Sequence, residues 1–210
     1  MLAVVGAYLT NRIGVKAFSY HVWCGYTVLV LVSFRICWGL VGTRHARFWN
    51  FVRGPVPTTR YLIATVRGEH RNFPGHNPLG ALMVVALLAA LGVQAAIGMF
   101  GNDEIFNFGP LYGYVSQARS LQLTSLHRHL FYWIVGGVVV HVLAIVAHRV
   151  VFHEHLVGAM FSGRKAARLV SSEEEIGGSR IWLAVVLVVV IAGVLYWVVS
   201  HAPIPANETY

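Results

Sequence analysis

A chain of 210 residues that is 57% hydrophobic and 11% charged, with a mean hydropathy of +0.64, is too apolar for a water-soluble domain and long enough for several membrane spans. The formal charge of +8 does not point to nucleic acid, because the basic residues fall in connections between apolar runs, where membrane topology accounts for them. Cys24 and Cys37 lie in one apolar run, about 20 Å apart if helical, so they cannot bridge each other, and the lack of a CxxCH motif argues against c-type haem.

Met1 to Thr10, MLAVVGAYLT, is apolar but half the length a span needs, and Asn11, Arg12 and Lys16 follow it. It has neither the basic start nor the cleavage pattern of a signal peptide, so it reads as the tail of a helix that begins upstream. The first full span runs from Ser19 to Val41 and holds His21 and Arg35 on one stripe, about 21 Å apart along the axis. Gly42 to Asn77 is polar, basic and broken by Pro55, Pro57 and Pro74, with a short interfacial helix expected around Thr59 to Arg67. The second span, Pro78 to Phe100, has Gln94 as its only strongly polar interior residue. Asn77 can cap it and Pro78 can occupy its first turn, which makes the preceding His76 a cap-region residue. Gly101 to Ser125 then reads as a connection, with Asp103, Glu104, Gly109 and Pro110 among aromatic residues suited to the membrane surface.

The third span lies in LHRHLFYWIVGGVVVHVLAIVAHRVV, Leu126 to Val151, and carries the chemistry. His127 and His141 share one helical stripe, offset by about 40° and separated by about 21 Å, most of a bilayer core. A single histidine at a span's end is commonly an interfacial residue, but a second one deep on the same stripe suggests a functional site, and imidazole is an axial haem ligand. Each histidine is therefore expected to reach toward a different haem, and Gly136 and Gly137 between them permit close approach of a macrocycle or a helix. Arg35 needs a partner in the membrane, and two readings stand open: a bidentate bond to a haem propionate, or snorkelling to the interface. His148, His153 and His155 read as interfacial, Ser162 to Arg180 as a solvated linker with Glu173 to Glu175 on a hydrated face, Ile181 to Val199 as a last span without histidine, and residues 200–210 as a disordered tail.

Connections rich in arginine alternate with connections poor in it. Arg44, Arg47, Arg53, Arg60, Arg67, Arg71, Arg149, Arg164, Lys165, Arg168 and Arg180 mark the cytoplasmic side, against Arg12, Lys16, Arg119 and Arg128 outside. His21 and His127 then begin parallel helices at the outer face, and His141 and Arg35 lie at the inner level.

The segments HVWCGYTVLVLVSFRICWGLVGTRHARFWNFVRGP, GHNPLGALM, LHRHLFYWIVGGVVVHV and GAMFSGRK resemble the bacterial cytochrome b561 family, which includes the cytochrome b subunits of nickel-iron hydrogenases. The resemblance covers roughly residues 1–165. It implies an all-α membrane protein in which a four-helix transmembrane bundle holds two haem b groups, each between two histidines, and passes electrons between quinone and a redox protein. Matched by motif, His21 stands as an outer-haem ligand, while His127 and His141 each supply one ligand to the outer and inner haem. The family's first core helix normally opens with a further histidine that pairs with the inner ligand, and this sequence starts downstream of that point. Either the first helix is truncated here, which is the favoured expectation, or the inner haem is lost, weakly bound or ligated otherwise; the outer haem is expected, followed by a linker over 166–180 and an extra C-terminal helix over 181–199.

The expected function is a b-type cytochrome of the bacterial inner membrane. Its expected partners are the membrane, a quinone and a c-type cytochrome or hydrogenase, with a homodimer left open and no nucleic acid. A superoxide:quinone oxidoreductase is the neighbouring reading. A histidine-based metal or proton transporter is the reading from another class, disfavoured because no full span holds Asp or Glu.

Overall fold

The computed structural model describes residues 1–69, 73, 75–151, 158 and 178–203. His153, His155, Glu173 to Glu175, nearly all of the expected linker and most of the tail lie outside the described residues. Among the described residues the chain is all-α: α1 (Leu2–Ile13), α2 (Phe18–Val41), α3 (Phe48–Phe51), α4 (Pro55–Val66), α5 (Pro78–Gly98), α6 (Gln117–Val151) and α7 (Ile181–Ser200), with short 3-10 turns between some of them. Four segments among the described residues are long and apolar enough to cross a membrane: Val15–Val41, Pro78–Gly98, Gln117–Val151 and Ile181–Ser200. Helices satisfy their own backbone in hydrocarbon, and bulky apolar side chains such as Leu31, Trp133, Leu143 and Val189 stand exposed where lipid would cover them. The protein is an all-α membrane helical bundle.

The helix ends follow local chemistry. α1 stops at Gly14, whose φ of 100° and ψ of −160° lie in a region that only glycine occupies comfortably. α5 starts where expected, with Pro78 in its first turn and the Asn77 Oδ1 accepting the Gly80 N–H at 2.7 Å. α4 begins at Pro55, four residues before the expected Thr59, because proline fits a first helical turn and the Thr58 and Thr59 hydroxyls bond back to carbonyls one turn earlier.

α6 differs most from expectation. It starts at Gln117, inside the stretch read as a connection. The polar residues that made it look like loop each find a main-chain partner: the Ser120 hydroxyl donates to the Phe100 carbonyl at 2.6 Å, and the Thr124 hydroxyl accepts the Asn102 N–H at 2.9 Å while donating to the Ser120 carbonyl.

The chain divides into two compact units. The first comprises Met1–Cys37, Leu88–Ile134 and Trp182–Tyr210. In it α1 lies on α2 and α6, with Tyr8 stacked on Phe131 at 5.3 Å between ring centroids and Gly6 against the Cys24 Sγ. The connection after α5 folds back on the helix end through the Gly109 N–H to Gly101 and the Leu111 N–H to Met99, burying Tyr112. Its tip is tied by Asp103, whose Oδ1 accepts the N–H groups of Ile105, Phe106 and Asn107. The second unit comprises Trp38–Leu87 and Val135–Ile181. There Gly39 packs on the Phe48 ring, His76 lies against Phe51 at 4.8 Å, Gly137 faces Leu87, and Arg180 donates to the Val41 carbonyl. Cys24 and Cys37 are free thiols.

Candidate functional site

The site is built in the first unit by two turns of chain that bring neighbouring helices against two histidines. The break at Gly14 folds α1 back along α2, and the Ala7 carbonyl meets the His21 ring, accepting from Nδ1 at 2.8 Å. Phe18, one turn earlier on α2, stacks beside that ring at 6.0 Å. On the other side α5 forms a seat for His127. The Gln94 carbonyl accepts from the His127 Nδ1 at 2.9 Å, the Gln94 side-chain Nε2 donates to the His127 carbonyl at 3.0 Å, and Gly98 supplies the space for the ring. Gln94 and Gly98 are four residues apart, so they occupy one face of α5.

These contacts bring the His21 and His127 rings to a centroid separation of 6.2 Å with their planes 77° apart. A carbonyl can only accept, so each Nδ1 carries the proton and each Nε2 keeps its lone pair for a metal. A carbonyl behind a ligating imidazole is the usual device that fixes tautomer and ring orientation and raises ligand basicity. The donor set is two imidazoles. Among the described residues no three His, Cys, Asp or Glu side chains converge as a metal site. Such a pair suits a metal whose remaining coordination comes with it.

The two other candidates lie on the same two helices as this pair. His141 is half-buried on α6 in the second unit and makes no hydrogen bond or ring contact among the described residues. Arg35 is half-buried on α2 in the first unit. Three contributors to the pair were not assigned a role from the sequence. Gln94 stood out only as a polar residue in an apolar span, and its spacing from Gly98 was the available signal. The Ala7 carbonyl has no signal at all, since any residue supplies one.

A family model described as prokaryotic cytochrome b561 matches residues 1–163. No curated protein and no solved structure matches the chain.

Proposed function

The chain belongs to the prokaryotic cytochrome b561 family, a family of membrane b-type cytochromes that transfer electrons, and on that premise we propose that His21 and His127 are the two axial ligands of one haem b. The observation that carries this reading is the ring pair. With metal–nitrogen bonds of about 2 Å and about 1.1 Å from ring centre to nitrogen, imidazoles on opposite sides of one metal have centroids about 6.2 Å apart. The separation here is 6.2 Å, and both Nδ1 atoms are occupied by carbonyls, which leaves Nε2 as the donor. The residues present therefore fit the group. A bound porphyrin also brings four equatorial nitrogens, which answers the two-donor set better than a bare metal ion in transit would.

When bound, the haem supplies one-electron redox chemistry. The chain's part is positioning. The Ala7 and Gln94 carbonyls hold the two imidazoles from neighbouring helices, Phe18 packs beside His21, and the apolar spans keep the site in a low dielectric. His141 would help to hold a second haem, and Arg35 would pair with a propionate by charge-assisted bonds. The excess of arginine in the Gly42 to Asn77 connection and at the end of α6 sets those segments in the cytoplasm, and His21 and His127 near the outer face of a bacterial inner membrane. Electrons pass between a quinone and a redox protein, a c-type cytochrome or a hydrogenase.

The test is a reduced-minus-oxidised spectrum of the purified chain. It should show b-type bands, and His127→Ala should remove those of the outer haem. A folded wild-type protein without colour refutes the reading. Stopped-flow mixing with superoxide and quinone alone separates a self-sufficient oxidoreductase from a subunit that needs a protein partner.

A further inference from the structure

α5 contains one polar side chain that its own packing does not account for. Gln94 sits in an otherwise apolar run, ALMVVALLAALGVQAAIG, and its Oε1 is buried without a hydrogen-bond partner among the described residues. Rotating the amide cannot relieve this, because Nε2 already donates to the His127 carbonyl and an oxygen there would face an oxygen. A buried acceptor left unsatisfied costs its full desolvation, since nothing replaces the water it gave up. Leucine or methionine would fill the same volume in a membrane helix at no such cost. The arrangement keeps a donor on His127 and strands the acceptor.

The same residue holds the histidine twice. Its side chain fixes the His127 main chain and its carbonyl fixes the ring, at 3.0 and 2.9 Å. Gly98 completes the seat, since a Cβ there would lie 2.8 Å from the His127 Cε1 and 3.0 Å from Nδ1, closer than packed atoms allow. A local rule broken at one position, where the same amide's other end grips a single neighbour, marks a functional constraint.

We propose that the Gln94 side chain, with Gly98 one turn on, positions His127: its amide fixes the main chain from which the imidazole projects, so that the ring meets the Gln94 carbonyl and the space at Gly98 in register. The proposal rests on the haem reading above and deepens it. Gln94→Leu removes the clamp on the His127 main chain and relieves the stranded acceptor, so as a mere packing change it would leave the haem untouched or stabilise the fold. As the loss of a positioning residue it lets the His127 main chain shift while the bond from Nδ1 to the residue-94 carbonyl remains, and so moves the midpoint potential and the low-spin electron-paramagnetic-resonance g values. Gly98→Ala displaces the ring directly and should move the same spectroscopic values. Gly92→Ala, where the added Cβ meets Val32 only at 3.4 Å, is the control on the same helix and should keep wild-type values.

Three results decide it. Wild-type g values and potential in a folded Gln94→Leu protein overturn the assignment. Should Gln94→Leu fail to fold, Gly98→Ala decides, and an unshifted spectrum there overturns it. A wild-type chain that binds no haem removes the reading beneath the proposal, and the proposal with it.

Discussion

The position of His21 depends on its contact with α1, and Gly14 is where that dependence can be tested. Its φ of 100° and ψ of −160° fall in a region that a residue with a Cβ enters at a cost of about 1–3 kcal/mol. Nothing lies within 4 Å of a Cβ built there, so Gly14→Ala adds backbone strain without a clash. The strain is relieved by α1 leaving α2, which raises the undocked population by a factor of about 5 to 150. Undocking breaks the bond from the His21 Nδ1 to the Ala7 carbonyl and uncovers Cys24, whose Sγ would lie 3.1 Å from a Cβ at Gly6. Alkylation of Cys24 by a membrane-permeant maleimide should accelerate by up to that factor, with Cys37 unchanged as an internal reference and the haem spectrum perturbed. Gly25→Ala, in mid-helix with open space around the new Cβ, should leave Cys24 labelling as in wild type. Equal Cys24 rates in Gly14→Ala and wild type, with identical spectra, would refute the claim that α1 holds the histidine.

Other outcomes follow from the same contacts. His129, two residues from His127, is exposed and bonds its Nδ1 to the Ser125 carbonyl of its own helix at 2.7 Å, so His129→Ala should retain the haem content that His127→Ala loses, measured by pyridine haemochrome. Axial rings 77° apart leave two iron d orbitals close in energy, so the oxidised protein should give a strongly anisotropic low-spin resonance; the rhombic signal of parallel rings would contradict the geometry. In the connection after α5, desolvation is the largest single influence on Asp103 and pushes its pKa up, but the Asn107, Ile105 and Phe106 N–H groups and the Asn107 side-chain amide together outweigh it and hold the carboxyl below its ordinary value. Its stabilising effect is therefore present above the unfolded carboxylate pKa and is lost as pH falls through the lower folded one. Amide exchange at residues 105–107 should show protection lost in that acidic window, and Asp103→Asn should abolish the pH dependence.

That His21 and His127 start their helices at one face was legible from the charge of the connections, while helix geometry gave only the stripes. Fourteen residues between His127 and His141, and between His21 and Arg35, fix a stripe whatever surrounds it. The four long spans were legible for a similar reason, since apolar length has few other uses. The start of α6 was not. Ser116, Ser120 and Thr124 carry the composition of a loop, and only their contacts with Phe100, Asn102 and the preceding turn reveal helix. A sequence records that a hydroxyl is present and not which carbonyl it reaches. The hold on His21 was hidden more completely, because its partner is a main-chain oxygen on α1, a segment that looked like an incomplete span.

That contrast also separates two kinds of histidine along α6. His129 bonds to a carbonyl one turn back on its own helix, so its ring direction is set locally and would persist in an isolated helix. His21 and His127 bond instead to carbonyls on other helices, Ala7 on α1 and Gln94 on α5. Their ring planes are consequences of tertiary packing. The 77° between them thus depends on where two further helices lie, and a shift of either changes one imidazole while leaving the other in place. The proposed bis-imidazole ligation would tie the electronic state of a bound haem to the register of α1 and α5, so substitutions at Gly14 and Gly98, neither of which bears a donor atom in its side chain, should act on the two imidazoles separately.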